Sequence, residues 1–124
     1  DAYYKAVNGQ VNDLFYYYRE QAALKARQYQ RALDDIVKAV ELSPKDLTYR
    51  AEHAVVNLRV GRYEESMKIL NEILKDEPKY GDAYRLLGLC QIQLKKTDEA
   101  CGNFNKAKEL GDPNVDELIK KYCK

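Results

Sequence analysis

The stretch Arg27–Pro44, with the sequence RQYQRALDDIVKAVELSP, sets the pattern for most of this chain. It recurs 34 residues later as Gly61–Pro78, GRYEESMKILNEILKDEP, and a third, weaker copy begins at Lys95, KKTDEACGNFNKAKELGD. A fixed period of this length is typical of proteins in which similar supersecondary units stack on one another. The sequence therefore predicts a repeat architecture.

Each copy carries the hydrophobic spacing of an amphipathic helix. In the first copy Ala32, Ile36 and Ala39 lie three or four positions apart and share one face. A unit of this period has room for two helices of about 14 residues, each roughly 20 Å long. Glycine, the Lys95-Lys96 turn and proline mark the helix ends. We predict helices over 13–26, 29–42, 46–60, 63–76, 80–94 and 97–110.

The pattern resembles the tetratricopeptide repeat, with an aromatic residue at the fourth place, glycine at the eighth, alanine at the twentieth and proline near the end. The first unit supplies Tyr16, Tyr29, Ala32, Ile36, Ala39 and Pro44. The third supplies Tyr84, Leu87, Gly88, Ala100, Phe104 and Ala107. The resemblance implies an all-α fold, a right-handed superhelical α-solenoid of three helix-turn-helix repeats plus a C-terminal capping helix.

The 34-residue frame divides the chain into segments. The three repeats span 13–112, and by the frame they occupy 13–46, 47–80 and 81–114. Residues 1–12 form an N-terminal segment, which we interpret as the remnant of an upstream helix. Residues 113–124 are predicted to form the capping helix, since repeat arrays need a cover for the last apolar face. Its apolar face carries Val115, Leu118, Ile119 and Tyr122.

Two units depart from the family pattern. The first has Arg19 and Glu20 where leucine and glycine are usual, and we predict an ion pair from Arg19 to Asp35 across the hairpin. In the second, polar residues fill three places that are usually large and apolar: Arg50, His53 and Asn57. We therefore expect helix 46–60 to be rotated, with its buried stripe formed by Leu47, Ala51, Ala54, Val55 and Leu58.

The pairing of the cysteines indicates the cellular compartment of the protein, because disulfides persist in oxidising compartments. Cys101 begins one predicted helix and Cys123 ends the next, so antiparallel packing would bring the two together in a disulfide. That bond would indicate a periplasmic or secreted protein. The alternative is that both are small buried apolar residues, as cysteine often is, in a cytoplasmic protein. Cys90 is expected to be buried and free.

Composition and motifs argue against several functions. The chain has 21 basic and 20 acidic residues, so no excess of positive charge favours nucleic acid, and no apolar run favours membrane insertion. The cysteines lack CxxC spacing and the chain has one histidine, so no metal centre is predicted. No phosphate-binding loop or nucleophile motif is present, and we expect neither an enzyme nor a cofactor.

The resemblance implies a concave binding surface formed by the first helix of each repeat. Carried onto this chain, the candidate groove residues are Tyr17, Tyr18, Gln21, Lys25, Glu52, Val55, Leu58, Arg59, Arg85, Leu86, Leu89 and Ile92. Chaperone-binding members hold a terminal carboxylate with lysine, asparagine and arginine at such places. Here those places hold Tyr17, Gln21, Glu52, Asp82 and Leu86, so the clamp is absent.

These features predict a non-catalytic protein–protein interaction scaffold, which binds a peptide or helix of a partner protein in an apolar and aromatic groove. The alternative is a structural or assembly protein whose groove is filled by self-association or by its own N-terminal segment, with Tyr3 and Tyr4 as anchors. A third alternative is that some groove residues belong to the core between repeats.

Overall fold

The computed structural model describes residues 12–123, and the regular elements within that range are seven α-helices. The six longer helices begin and end within one residue of the predicted spans, and the all-α fold class is confirmed. Most of the predicted N-terminal segment, including Tyr3 and Tyr4, lies outside the described residues. The helices are α1 (Asp13–Lys25), α2 (Tyr29–Leu42), α3 (Leu47–Arg59), α4 (Tyr63–Asp76), α5 (Gly81–Gln93), α6 (Thr97–Glu109) and α7 (Asp116–Tyr122).

The chain forms two compact units that divide between Val60 and Gly61. The first unit contains α1 to α3, and its core is built on the stripe of Ala32, Ile36 and Ala39, which are completely buried. Small side chains at two of these positions let neighbouring helices approach closely, and Ile36 fills the space between them. Tyr49 and Val56 of α3 complete this cluster together with Ala23 and Leu33.

Local hydrogen bonds fix where the helices of the first unit start and turn. The side chain of Asn12 accepts a hydrogen bond from the Phe15 backbone N–H at 3.0 Å and caps α1. Asp46 caps α3 in the same way through the Tyr49 N–H at 3.1 Å. Between α1 and α2, Arg27 adopts a left-handed conformation with φ 59°, which ends α1 and reverses the chain.

The expected rotation of α3 is wrong. Ala51 and Ala54 of the predicted stripe are buried, but Leu47, Val55 and Leu58 are only half-buried. Tyr49, Val56 and Asn57, which were outside that stripe, are buried instead. The third, eighth and eleventh places of the repeat are buried in all three first helices, so α3 keeps the same inward face as its counterparts. Asn57 fits this face because its side-chain amide donates to the His53 carbonyl oxygen at 3.0 Å within the helix. The third place is occupied by Phe15, Tyr49 and Ala83, the eighth by Glu20, Ala54 and Gly88, and the eleventh by Ala23, Asn57 and Gln91.

The second unit contains α4 to α7. Its core cluster joins Ala100, Phe104 and Ala107 of α6 to Val115, which directly precedes α7. Leu118, Ile119 and Tyr122 of α7 pack against this cluster and are partly buried. A disulfide between Cys101 and Cys123 joins the start of α6 to the end of α7, while Cys90 is buried and free.

Candidate functional site

The Arg19 side chain is bound to Asp35 by two parallel hydrogen bonds. Arg19 Nε donates to Asp35 Oδ2 at 2.9 Å and Arg19 Nη2 donates to Asp35 Oδ1 at 2.7 Å. Asp35 is buried, and the guanidinium also lies 5.0 Å from the centre of the Phe15 ring. This paired geometry raises the pKa of Arg19. The pair joins α1 to α2, so its role is to hold the hairpin together.

Four of the predicted groove residues lie together in the first unit: Tyr17, Tyr18 and Gln21 of α1 and Glu52 of α3. Gln21 Nε2 donates to Glu52 Oε2 at 2.7 Å and connects the two helices. The Tyr17 ring centre lies 5.5 Å from that of Tyr18. Leu14, one turn before Tyr18, is 44% exposed, and Tyr18 is 45% exposed. We call Leu14, Tyr17, Tyr18, Gln21 and Glu52 the α1–α3 face.

The pKa of the Tyr17 hydroxyl is raised by burial and by the nearby carboxyl groups of Glu52 and Glu20. This shift further favours the protonated hydroxyl, which can donate a hydrogen bond. Its ring also contacts Tyr49, at 5.3 Å between centres, so the hydroxyl is carried by a ring that the core of the unit holds in place.

The four other predicted groove residues of the first unit lie outside the α1–α3 face. Lys25 and Arg59 are exposed in the last turns of α1 and α3. Val55 and Leu58 are half-buried on α3. The contacts that unite the α1–α3 face involve none of these four residues.

Glu20 is a buried carboxyl group beside this face that sequence reasoning missed. It is 0% exposed, its Oε1 accepts a hydrogen bond from Gln21 at 2.8 Å, and its Oε2 has no partner among the described residues. Burial, followed by interaction with Glu52, raises the pKa of Glu20 to about 9. The sequence signal for the burial of Glu20 is its place in the repeat. The equivalent residues Ala54 and Gly88 are small, as expected of a buried position, and the structure shows that both are buried.

The predicted groove residues of the second unit lie on α5 and contribute mostly to packing. Arg85 Nη1 binds Asp112 Oδ2 at 2.5 Å and Asp82 Oδ1 at 3.4 Å. Its charge is therefore neutralised by acidic side chains of its own unit. Leu86 is only 6% exposed. Leu89 and Ile92 pack against the core cluster of α6 and α7.

Residues 12–123 provide neither a metal site nor a membrane-spanning helix. No group of three or more histidine, cysteine, aspartate and glutamate side chains in that range is placed to hold a metal ion. Nor does any helix there combine the length and the apolar character needed to cross a bilayer.

Two family models, both described as Tetratricopeptide repeat, match residues 21–76 and 57–102. The chain belongs to the tetratricopeptide repeat family. Solved repeat structures agree with the fold. The protein YrrB, described as having an unusual peptide-binding site, aligns with a TM-score of 0.81 and 21% identity over 96% of this chain and 62% of its own. The first repeat domain of Spaghetti (RPAP3), bound to the HSP90 peptide SRMEEVD, aligns at 0.78 and 19% identity over 90% of each chain.

Among sequence relatives, Heat shock protein STI1 of Saccharomyces cerevisiae is 31% identical over 78% of this chain and 17% of its own length. The small glutamine-rich tetratricopeptide repeat-containing protein 2 of Mycosarcoma maydis is 29% identical over 80% of this chain and 28% of its own. The chain thus spans less than a third of either relative.

Proposed function

We propose that this chain is a non-catalytic module that binds a segment of another protein, and that the α1–α3 face is the contact surface. The observation that carries the proposal is the pair of exposed apolar side chains on α1. Leu14 and Tyr18 lie one turn apart, each nearly half exposed, with Tyr17 beside them. Exposed aromatic and apolar groups on a rigid helix are typical of surfaces that receive a peptide or helix.

The similar proteins support a protein partner. The RPAP3 domain is bound to a peptide and YrrB is described by its peptide-binding site. One relative, serine/threonine-protein phosphatase T of Aspergillus oryzae, is named as an enzyme, but the match covers only 20% of its length. A shared repeat domain of that extent favours a common binding role over a shared reaction.

The partner proposed here differs from an acidic peptide tail. The places that would form the family's carboxylate clamp include Tyr17, Gln21 and Glu52, which supply no positive charge. Arg85, one of the predicted groove residues, is bound to Asp112 and Asp82. A terminal carboxylate would therefore meet like charge at Glu52 and no arginine or lysine of the α1–α3 face.

The proposal is tested by partner capture with the double variant Leu14→Ser, Tyr18→Ser. Because both side chains are substantially exposed, we expect the helical circular dichroism signal to stay within about a tenth of the wild type. Capture of a partner, identified by mass spectrometry from native extract, should be lost. The matched control is Leu42→Ser on α2, whose apolar side chain is 52% exposed and lies outside the face.

Undiminished capture by the double variant, or equal loss in Leu42→Ser, would contradict the proposal. The alternative of self-association is separated by sedimentation of the pure chain. A dimer that dissociates in the Leu14→Ser, Tyr18→Ser variant would favour the assembly role, whereas a monomer at all concentrations favours a partner of a different sequence.

A further inference from the structure

The last helix of the second unit, α7, is short and is packed only partly into the core. Its seven residues, Asp116–Tyr122, include none that is fully buried. Leu118, Ile119 and Tyr122 lie against the core cluster of α6 but remain half-buried. A helix of seven residues is not stable in water by itself, so α7 keeps its helical form only while it is docked.

The chain directly before α7 is anchored much more firmly. Val115 is completely buried in the core cluster of the second unit. Asp112 is buried as well, and its carboxylate binds Arg85 of α5 at 2.5 Å and accepts a hydrogen bond from the Asn114 backbone N–H at 2.8 Å. The boundary between the firmly held chain and the weakly held chain therefore lies at the start of α7.

The Cys101–Cys123 disulfide attaches the far end of α7. Cys101 lies in the first turn of α6 and Cys123 directly follows α7, and both are half-buried, so the bond is within reach of a reductant. The ion pair between Lys108 of α6 and Asp116 of α7 is exposed at both ends and contributes little. The disulfide is therefore the main attachment of α7 to α6.

The surface beneath α7 is apolar. The ring of Tyr122 stacks on that of Phe104 at 6.4 Å between centres. Phe104 is completely buried and forms the core cluster with Ala100, Ala107 and Val115. Detachment of α7 would remove the cover from this side of the cluster and bring apolar surface into contact with water.

We propose that α7 is a redox-controlled cover of the second unit, which is docked when Cys101 and Cys123 are joined and released when they are reduced. The released part begins after Val115, which stays buried, so α4 to α6 keep their fold. The state of the disulfide thereby controls whether the apolar side of α6 is covered. This inference concerns the second unit and does not depend on the function proposed for the α1–α3 face.

A dithiol is the class of reductant that carries out the change. One of its thiolates attacks the Cys123 sulfur, the bond to Cys101 breaks, and Cys101 leaves as a thiolate that takes up a proton. The second thiolate of the reductant attacks the mixed disulfide and frees Cys123, which is protonated in turn. Two electrons and two protons pass to the protein, and the dithiol is oxidised to a disulfide.

Nuclear magnetic resonance of the full chain with and without dithiothreitol tests the release. On reduction, the helical ¹³Cα secondary shifts of residues 116–122 should fall by at least about half, because the undocked helix unfolds. The shifts of α5 and α6 should stay native. The fluorescence of added 1-anilinonaphthalene-8-sulfonate, which binds exposed apolar surface, should rise at least about twofold.

Two variants assign the response to this disulfide. The double variant Cys101→Ser, Cys123→Ser should show the released state both with and without dithiothreitol. Cys90→Ala removes the buried free cysteine of α5 and leaves the disulfide in place, so it should respond to dithiothreitol as the wild type does.

Two results would overturn the inference. If residues 116–122 keep their helical shifts in the reduced chain, the apolar contacts of α7 hold it without the disulfide. If the native shifts of α5 and α6 are lost together with those of α7, the disulfide supports the whole unit and α7 is not a separate cover.

Discussion

At the residue scale, Glu20 shows how one substitution in a repeat changes the chemistry around it. Its counterparts Ala54 and Gly88 are small and buried, so a three-carbon acidic side chain stands at a place where the other repeats have a methyl group or no side chain. The exchange itself is visible in the sequence. Its consequence is not, because the burial of Glu20 depends on the orientation of the helices packed around it, and the orientation expected for α3 was wrong.

The protonation of Glu20 predicts how stability depends on pH. Its pKa is about 9 in the folded chain against an ordinary value of 4.5, so between these values the folded state holds a proton that the unfolded state has released. Stability therefore falls as pH rises through this range. The carboxyl groups that oppose its ionisation are Glu52 of α3 and Asp35 of α2.

Glu20→Gln should remove this dependence and make the chain about 1–3 kcal/mol more stable than the wild type at pH 8, with a smaller difference at pH 5. Urea denaturation at both pH values measures it. Glu41→Gln, which removes an exposed carboxylate, is the control. A Glu20→Gln variant that keeps the pH slope of the wild type would show that Glu20 is not the group responsible.

The Arg19–Asp35 pair gives a second prediction at this scale. Arg19→Gln leaves Asp35 buried without its cation and should lower the free energy of unfolding by about 3 kcal/mol. Lys75→Gln removes a charge from the exposed pair with Glu72 and should cost less than about 1 kcal/mol. Chemical denaturation compares the two, and equal losses would mean that Asp35 is solvated in solution.

At the element scale, the packing of α5 on α6 depends on Gly88. A Cβ atom at this position would overlap the ring of Phe104, which is completely buried in the core cluster of the second unit. The family pattern predicts both Gly88 and Phe104 from the sequence. The structure explains why they occur together, since the ring of Phe104 occupies the space that a side chain at position 88 would need.

Gly88→Ala should destabilise the chain by about 2 kcal/mol or more, because the ring must move to admit the methyl group. Gly102→Ala on α6 is the matched control, since nothing lies within 4 Å of a Cβ atom there. It should be stabilising by about 0.5–1 kcal/mol through helix propensity. Thermal unfolding distinguishes them, and a neutral Gly88→Ala would show that α5 and α6 pack less closely.

The attachment of α7 gives the last prediction about stability. The Cys101–Cys123 disulfide closes a loop with a sequence separation of 22, which should stabilise the chain by about 3 kcal/mol. The free energy of unfolding of Cys123→Ser should be lower by this amount under non-reducing conditions. Dithiothreitol, which breaks the disulfide, should lower the free energy of unfolding of the wild type to nearly the same value. If reduction leaves the wild-type unfolding curve unchanged, α7 is held by its apolar contacts alone.

Features that recur in each repeat can be predicted from the sequence, whereas contacts that depend on a single neighbouring residue cannot. The helix bounds follow from the 34-residue period, since turns recur in each copy. The binding of Arg85 to Asp112 could not be predicted in this way, because it pairs residues 27 apart that have no counterpart in the other copies. Arg85 is therefore predicted as a groove residue, whereas in the structure its guanidinium is held by the acidic side chains of Asp112 and Asp82.

At the scale of the whole molecule, the repeats supply the scaffold and α1 and α3 supply the residues that distinguish this chain. The core stripe of Ala32, Ile36 and Ala39 is that of the family and indicates no partner. Glu20, Gln21 and Glu52 differ from the residues at the corresponding places of the other repeats of this chain. The hydrogen bond from Gln21 to Glu52 joins the two helices that form the proposed contact surface. The choice of partner is therefore expected to depend on the first helices.

The central claim is that the α1–α3 face binds a segment of another protein, and photo-crosslinking from this face tests it most directly. The benzophenone amino acid p-benzoylphenylalanine is placed at Tyr18, or at the exposed Asp34 of α2 as the control. After irradiation in native extract, mass spectrometry of the Tyr18 sample should map crosslinks to one contiguous segment of another protein, and the Asp34 sample should lack them. Crosslinks from position 18 that map only to this chain, or that match those from position 34, would contradict the account.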